Sequence, residues 1–259
     1  LVRDYAMPLA GAALVAITGL ARMTPERMDA VSQAMIDGCA NYAGDPAVEA
    51  ACHAAPAEID AHIDAMLDAA PEDSALRVQR DGGLPLESIR ANVKLVISGG
   101  QNEPRDAIAG TIAALLMHPA ALGHVRAGRA TWAQAFDEYA RWQAPIGMSP
   151  RQVATPDTMG GVRFETGDRV FLMFGSAGRD EAVFEAPDAF DILRDTSPAI
   201  PFGAGPHFCA GAAAARALIV DVALPMVFAR LSGLRLIAPV VWHGWAFRGP
   251  VAVPAGWDA

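Results

Sequence analysis

Residues 201–211 read Pro-Phe-Gly-Ala-Gly-Pro-His-Phe-Cys-Ala-Gly, and an apolar helical pattern begins directly after them. Gly203, Gly205 and Pro206 predict a tight loop whose backbone can approach a flat ring closely. The loop presents backbone N–H groups to the sulfur of Cys209, and the following helix adds the partial positive charge of its N-terminus. Both effects favour a thiolate, the form of cysteine that binds metal ions. The alternative interpretation is an inert buried cysteine in a glycine-rich turn.

The same run resembles the haem-binding loop of the cytochrome P-450 superfamily, which has the pattern Phe-Gly-x-Gly-x-His/Arg-x-Cys-x-Gly. The matching positions are Phe202, Gly203, Gly205, His207, Cys209 and Gly211. The resemblance implies that Cys209 is the axial ligand of the iron of haem b. It also implies that Phe202, Gly203 and Gly211 belong to the haem-binding set. A match at all these positions, directly before a helix, favours this interpretation over an inert cysteine.

Other residues are assigned to haem by the resemblance alone. His207 takes the role of a haem-propionate contact. Arg151, in Met-Ser-Pro-Arg-Gln-Val, matches a further propionate-binding position. Cationic donors suit a buried carboxylate, because an unpaired propionate would be costly to bury.

Composition limits the classes of function. The chain has 259 residues, of which 53% are hydrophobic, so it can bury a substantial core. Its net charge of −9 argues against nucleic acid as a partner. The cysteines at 39, 52 and 209 are too few for a disulfide framework, which predicts a reducing cytoplasm. We read no apolar run as long as a membrane span and therefore expect no membrane partner.

Hydrophobic periodicity predicts helices through the first two thirds of the chain. The predicted helices cover 3–20, a segment starting at Thr24-Pro25-Glu26, about 46–70 with a break or kink near Pro56, about 85–118, and segments starting at Pro119 and Thr131. The rest is predicted as strands at 151–155, 161–164 and 169–174, an irregular loop at 184–201, a helix from Cys209 to about 231, and short terminal strands. This order favours an α+β fold that is mostly α.

The resemblance adds the cytochrome P-450 fold, as one haem-thiolate catalytic domain over residues 1–259. Leu1-Val-Arg-Asp-Tyr resembles the middle of the family's domain rather than its start. We therefore expect the C-terminal two thirds of that domain, truncated at the N-terminus.

Glu138 and Arg141 are spaced i, i+3 on a predicted helix and share one face. Alone, such a pair usually lies on a solvated surface. Here it resembles the family's Glu-x-x-Arg motif, which implies a buried ion network with an arginine of the irregular loop. Arg194 fits that third position.

Residues 98–106, Ser-Gly-Gly-Gln-Asn-Glu-Pro-Arg-Asp, interrupt the long predicted helix. In the resembled family this position reads Ala/Gly-Gly-x-Asp/Glu-Thr, and its acid–alcohol pair helps to deliver protons to bound oxygen. The resemblance assigns Gly99 to the haem, Asn102 to the acid and Glu103 to the alcohol. Asn102 is a departure, because an amide orients water but cannot act as an acid. Glu103 can pass protons if it faces the pocket, and otherwise it pairs with neighbouring residues at the surface.

The altered segment resembles the self-sufficient bacterial branch of the family, in which a reductase follows the haem domain. The implied activity is a monooxygenase that inserts one atom of O2 into a small apolar organic substrate. Its electrons come from NAD(P)H through a ferredoxin- or flavin-type donor. Residues 146–148 and 245–247 match the segments that line the family's substrate cavity. Two alternatives stay open, a peroxide-driven haem enzyme and a non-catalytic truncated fragment.

Overall fold

Helices make up the chain as far as residue 143 in a computed structural model that describes residues 1–258. The helices are α1 Met7–Thr18, α2 Pro25–Cys39, α3 Pro46–Met66, α4 Ala75–Asp81, α5 Leu86–Ser98, α6 Asn102–Met117, α7 Pro119–Arg126 and α8 Trp132–Gln143, with a π-helical turn, Val2–Ala6, before α1. The predicted helix starts are confirmed at α2 and α8, where the hydroxyls of Thr24 and Thr131 accept backbone N–H groups. In α8 the side chain of Gln134 completes a capping box.

Three helical predictions need correction. Pro56 does not break α3. Ala55, before the proline, and Ile59 and Ile63, after it, pack in the same core and hold the helix together. The predicted helix 85–118 is divided at residues 99–101, between α5 and α6. The sequence did not indicate α4, which has only seven residues and therefore little periodicity.

The strands form small antiparallel pairs. Their bounds are β1 Ser149–Gln152, β2 Asp157–Met159, β3 Val162–Phe164, β4 Arg169–Leu172, β5 Arg235–Leu236, β6 Val241–His243, β7 Gly249–Ala252 and β8 Ala255–Gly256. β1 pairs with β4, β2 with β3, β5 with β8, and β6 with β7. A short helix, α9 (Phe174–Ala177), follows β4, and irregular structure then leads to the cysteine loop. The predicted strand at 151–155 begins two residues earlier, and β2 was not predicted.

The main core is built around α6. Tyr139 of α8 lies where a side chain at Gly110 would be, and its hydroxyl donates a hydrogen bond to Asp106 O at 3.3 Å. The helix after Cys209 packs on the same core through Ile219 and Leu224, among others. A second core joins α1, α2, α3 and α5. The helix that follows the cysteine is therefore fixed against both α6 and α8.

The helix after Cys209 runs over Ala212–Arg230. Its middle, Ala217–Ala223, is π-helical and lies between the α-helical segments α10 (Ala212–Arg216) and α11 (Leu224–Arg230). By length and composition alone this helix is apolar enough to cross a membrane, so the expectation of no such run is wrong. Its core-facing residues, such as Ile219 and Leu224, pack against the core that contains α6 and α8.

Candidate functional site

Backbone hydrogen bonds shape the cysteine loop. The N–H of Cys209 donates to Phe202 O at 3.0 Å, and the N–H of Phe208 donates to Gly205 O at 3.0 Å. Gly203 and Gly205 have φ of 71° and 67°, the left-handed region that favours glycine. The predicted tight turn is therefore present. It leaves Cys209 half-buried with a free thiol, just before the helix at Ala212.

One aromatic ring anchors the loop to the core. Phe202 packs against the main core, with its ring centroid 6.1 Å from that of Phe136 on α8. The ring of Phe208 lies 6.4 Å from Phe202 and is 55% exposed. Phe202 thus holds the loop, whereas Phe208 presents apolar surface outward beside the cysteine.

Glu138 and Arg141 form a fully buried ion pair. Arg141 Nε lies 2.6 Å from Glu138 Oε2, and Arg141 Nη2 lies 2.7 Å from Glu138 Oε1. Arg194 Nε lies 3.6 Å from Glu138 Oε1, so the predicted network of three residues is confirmed. The two charges of the central pair attract each other at short range, and this attraction offsets the cost of removing them from water.

The same network ties the irregular loop to α8. Arg141 donates to the carbonyls of Gly178, Pro187 and Ala189, at 2.6, 2.8 and 3.0 Å. The backbone N–H of Asp191 donates to Glu138 Oε1 at 2.8 Å. The residues that lead to the cysteine loop are therefore held by α8 side chains.

Asn102 and Glu103 lie in the first turn of α6, next to the interruption at residues 99–101. Asn102 Oδ1 and Glu103 Oε2 are buried without a hydrogen-bond partner within residues 1–258. Burial raises the pKa of Glu103 to about 7. Glu103 is not in a surface ion pair, since Arg105 pairs instead with Asp106. Glu103 can therefore hold a proton near neutral pH, and the adjacent Asn102 offers an acceptor oxygen without a partner among the described residues.

A polar cluster next to this turn was not predicted from the sequence. Gln101 Nε2 donates to Asp29 Oδ1 at 2.9 Å, and Arg105 Nη1 lies 3.6 Å from the same oxygen. Arg105 Nε also lies 2.9 Å from Asp106 Oδ1. Asp29 belongs to α2, far away in the sequence, and no local pattern could indicate the contact.

The remaining predicted haem contacts are exposed. Arg151, on β1, bonds Ser149 Oγ at 2.6 Å and Pro150 O at 2.7 Å. His207 lies on the exposed 3-10 turn of the cysteine loop. Neither side chain has a carboxylate partner within the described part of the chain. The structure brings His207, Phe202, Gly203 and Gly211 to Cys209, and no hydrogen bond joins that group to Asn102, Glu103 or Arg151 within residues 1–258.

The chain is similar to known proteins in both sequence and fold. Residues 133–230 match the family model "Cytochrome P450". The segment includes Glu138, Arg141 and Cys209. The chain is 34% identical over 148 residues to the putative cytochrome P450 126 of Mycobacterium tuberculosis, covering 57% of this chain and 36% of the relative. It is 34% identical over 176 residues to the epothilone C/D epoxidase of Sorangium cellulosum, covering 67% of this chain and 42% of the relative.

Solved structures extend the likeness to the whole fold. The crystal structure of P450BioI, in complex with acyl carrier protein ligated by hexadec-9Z-enoic acid, has a TM-score of 0.90 and 25% identity, over 99% of this chain and 68% of that one. The chain belongs to the cytochrome P450 family. It spans less than half the length of the two curated relatives, and its mostly helical α+β structure corresponds to about two thirds of a P450 fold.

Family membership implies haem b, and the P450 residues around Cys209 fit that group. Haem iron in P450s takes a cysteine thiolate ligand. Within residues 1–258 no group of three or more His, Cys, Asp or Glu side chains could hold a metal ion, so a single sulfur ligand requires a macrocycle for the rest. A Cβ at Gly205 would meet nothing within 4 Å, and one at Gly99 would meet only Leu95 O. The exposed Phe208 ring and the basic side chains of His207 and Arg151 suit an apolar ring with carboxylate edges.

Proposed function

We propose that this chain is the catalytic part of a haem-thiolate monooxygenase. The observation that supports this most directly is the half-buried thiol of Cys209, held in a left-handed glycine turn at a helix start. Haem held by Cys209 would supply oxygen activation, because a thiolate ligand favours O–O cleavage. The overall reaction is R–H + O2 + 2 e⁻ + 2 H⁺ → R–OH + H2O, with electrons from NAD(P)H through a ferredoxin- or flavin-type donor.

The chain's own residues would have distinct tasks. Cys209 binds the iron, and Phe202, Gly203, Gly211 and Gly99 make room for the ring. The basic side chains of His207 and Arg151 would bind the propionates, which would otherwise be buried unpaired.

Proton supply falls to the first turn of α6. Glu103 holds a proton near neutral pH, because burial raises its pKa to about 7. Asn102 has an unpartnered acceptor oxygen that can orient a water molecule towards it. Glu103 would therefore deliver protons, and Asn102 would position the water that carries them.

The substrate would be a small apolar organic molecule. Ile146 and Phe247 are bridged across two segments, and Trp245 is 59% exposed and lies 6.5 Å from the ring of Phe171. Relatives support the substrate class, since P450BioI is seen with a hexadecenoic acyl chain and CYP267B1 with myristic acid. These apolar walls would bind such a chain and exclude water.

Further assignments belong to the same proposal. The chain would belong to one catalytic domain over residues 1–259 and would work in the cytoplasm. Fusion or association with a reductase, as in the self-sufficient branch, would provide its electrons.

The first experiment is an absorption spectrum of the purified chain with haem, reduced with dithionite and exposed to CO. A strongly red-shifted Soret band is expected, and Cys209→Ser should lose the shift, since the hydroxyl replaces the thiolate. Cys39→Ser is the matched control, because Cys39 is exposed on α2. A wild-type band without the shift, or an equal band in Cys209→Ser, would contradict the assignment.

A peroxide-driven enzyme is the second candidate, and one observation favours it. Glu103 combines a pKa near 7 with an unpartnered oxygen, which suits a group that takes a proton from H2O2 and returns it. The reaction is R–H + H2O2 → R–OH + H2O. Product formation with H2O2, but none with NAD(P)H-driven reductases, would select this candidate over the first. Loss of the peroxide activity in Glu103→Gln would assign the acid–base role.

A further inference from the structure

Three segments meet behind the turn at residues 244–247, which joins β6 to β7. The N–H of Gly147 donates to Ala246 O at 2.8 Å, and the N–H of Arg248 donates to Pro145 O at 2.8 Å. Gly147 O in turn accepts the N–H of Gly175, in α9, at 3.0 Å. The turn is thus bonded to the linker 144–148, and the linker is bonded to α9.

The side chain of Arg248 runs between two of these glycines. A Cβ at Gly147 would lie 2.7 Å from Arg248 Cδ, and a Cβ at Gly175 would lie 2.7 Å from Arg248 Nη1. Gly147 needs the hydrogen that glycine provides, because a Cβ there would also lie 2.1 Å from Trp245 O of the backbone. A Cβ at Gly175 would force the guanidinium of Arg248 to move aside. The arginine side chain therefore occupies space that these two glycines leave open.

The guanidinium of Arg248 has little else to bind. Its Nη2 reaches Gln143 Oε1 at 3.4 Å, and within residues 1–258 no carboxylate forms an ion pair with it. It borders a cavity of about 360 Å³ that is lined by Gln143, Trp242, His243, Gly244, Arg248 and Gly249. Because Arg248 has no carboxylate partner among the described residues, an ion pair does not explain why an arginine lies here. Its observed contacts are instead those of a brace between α8, α9 and the turn.

We propose that Arg248 is a positioning residue that fixes the turn carrying Trp245 and Phe247, and so sets the shape of the apolar substrate wall. That the wall binds substrate rests on the proposed monooxygenase function. That Arg248 fixes the position of the turn is the mechanical part of the proposal, and it does not depend on that function. The next residue, Gly249, packs closely against α6, because a Cβ there would lie 2.4 Å from Asp106 Cβ and Cγ. Small displacements of such walls cost binding and rate, because productive geometry is narrow.

The mechanical part is tested by amide hydrogen exchange. The variant Arg248→Met keeps the apolar stem of the side chain but loses the guanidinium. In this variant the backbone amides of Gly147 and of position 248 should exchange about tenfold faster than in wild type. The amides of the cysteine loop should not change. Arg248→Lys should restore part of the protection, because it keeps the length and the charge. Arg163→Met, which removes an arginine exposed on β3, is the matched control.

A double-mutant cycle isolates the contact itself. Gly175→Ala should displace the guanidinium and speed exchange at Gly147, whereas in the Arg248→Met background the same methyl group should have no further effect. Additive effects of the two changes, or unchanged exchange in Arg248→Met, would overturn the proposal. Neither result depends on haem.

Ligand binding tests the consequence for the wall. In spectral titrations of the haem-loaded chain, Arg248→Met should weaken 4-phenylimidazole about tenfold and leave imidazole unchanged, because only the larger probe reaches the turn. Equal losses for both probes would indicate a general structural defect and reject the positioning role. If the wild-type chain shows no thiolate band with CO, the monooxygenase proposal fails, and the exchange cycle still decides the role of Arg248.

Discussion

Glu103 is an acid whose pKa is raised by burial, as is the pKa of the nearby Asp106. The Glu103 pKa of about 7 means that the folded chain favours the neutral carboxyl, whereas the unfolded chain ionises near the ordinary value of 4.5. Between those two pH values the unfolded state releases its proton first. Stability associated with Glu103 is therefore present below pH 4.5 and is lost as the pH rises towards 7.

We predict that the stability difference between Glu103→Gln and wild type grows in favour of the variant from pH 4.5 to pH 7. The growth should be up to about 3 kcal/mol, from a shift of about 2.5 pKa units. Urea unfolding at fixed pH values measures it. Glu181→Gln, at an exposed position, should show no such trend. A pH-independent difference between Glu103→Gln and wild type would contradict the buried-acid assignment.

The interruption between α5 and α6 is the element that positions this acid. At Gly100 a Cβ would lie 2.9 Å from Leu14 Cδ2 of α1 and would crowd Val96 O. The helix axis is broken where another helix presses against it, which only a glycine permits.

Gly100→Ala should therefore destabilise the chain by about 1–3 kcal/mol, as overpacked sites do. Gly123→Ala is a control on α7, where a Cβ would meet nothing within 4 Å. It should stabilise by about 0.5–1 kcal/mol, because alanine favours a helix. Denaturant midpoints compare the two. Similar denaturant midpoints for both variants would show that crowding against Leu14 does not lower the free energy of unfolding.

The ion network of α8 gives a second prediction at this scale. Removing one member, in Glu138→Ala or Arg141→Ala, leaves an unpaired buried charge and should cost about 3–5 kcal/mol. The cysteine loop should then be disordered, and the purified protein should lack stable haem. Asp188→Ala, which removes an exposed partner of Arg179, should leave haem content unchanged. Full haem content in either network variant would refute the role.

The features that could be predicted from the sequence are those that depend on residues close together in the chain. Caps such as Thr24 and Thr131, and the glycines of the cysteine loop, act within a few residues, so the helix starts and the loop were predicted. Arg194 was placed in the network only through the family resemblance. The contact of Asp29 with Arg105, and the passage of Arg248 between two glycines, join distant residues. No periodicity records such contacts, and only the folded chain shows them.

At the scale of the whole molecule, large apolar side chains are exposed on α5, in the turn at residues 244–247 and in the cysteine loop. Leu95 is 70% exposed, Trp245 59% and Phe208 55%. Such apolar surface is typical of a face that another group or chain covers.

We therefore expect the isolated chain to bind a hydrophobic dye and to self-associate as its concentration rises. Leu95→Lys should reduce both effects. Ile237→Lys is the matched control, since Ile237 is 65% exposed but lies beside β5, in the terminal strand region. Sedimentation velocity and dye fluorescence measure the outcome. An equal reduction of dye binding and self-association by both variants would mean that these effects are not specific to the exposed face of α5.

The hydrogen bonds of Arg141 have a consequence for the order in which we expect the chain to fold. Its guanidinium joins carbonyls 37, 46 and 48 residues further along the chain, and Tyr139 on the same helix packs on α6. The downstream loop has these partners only once α8 has formed, so we expect α6 and α8 to form the platform first. During synthesis that platform leaves the ribosome before the cysteine does. We therefore expect the cysteine loop to mature last, so that the prosthetic group is captured by a nearly finished protein.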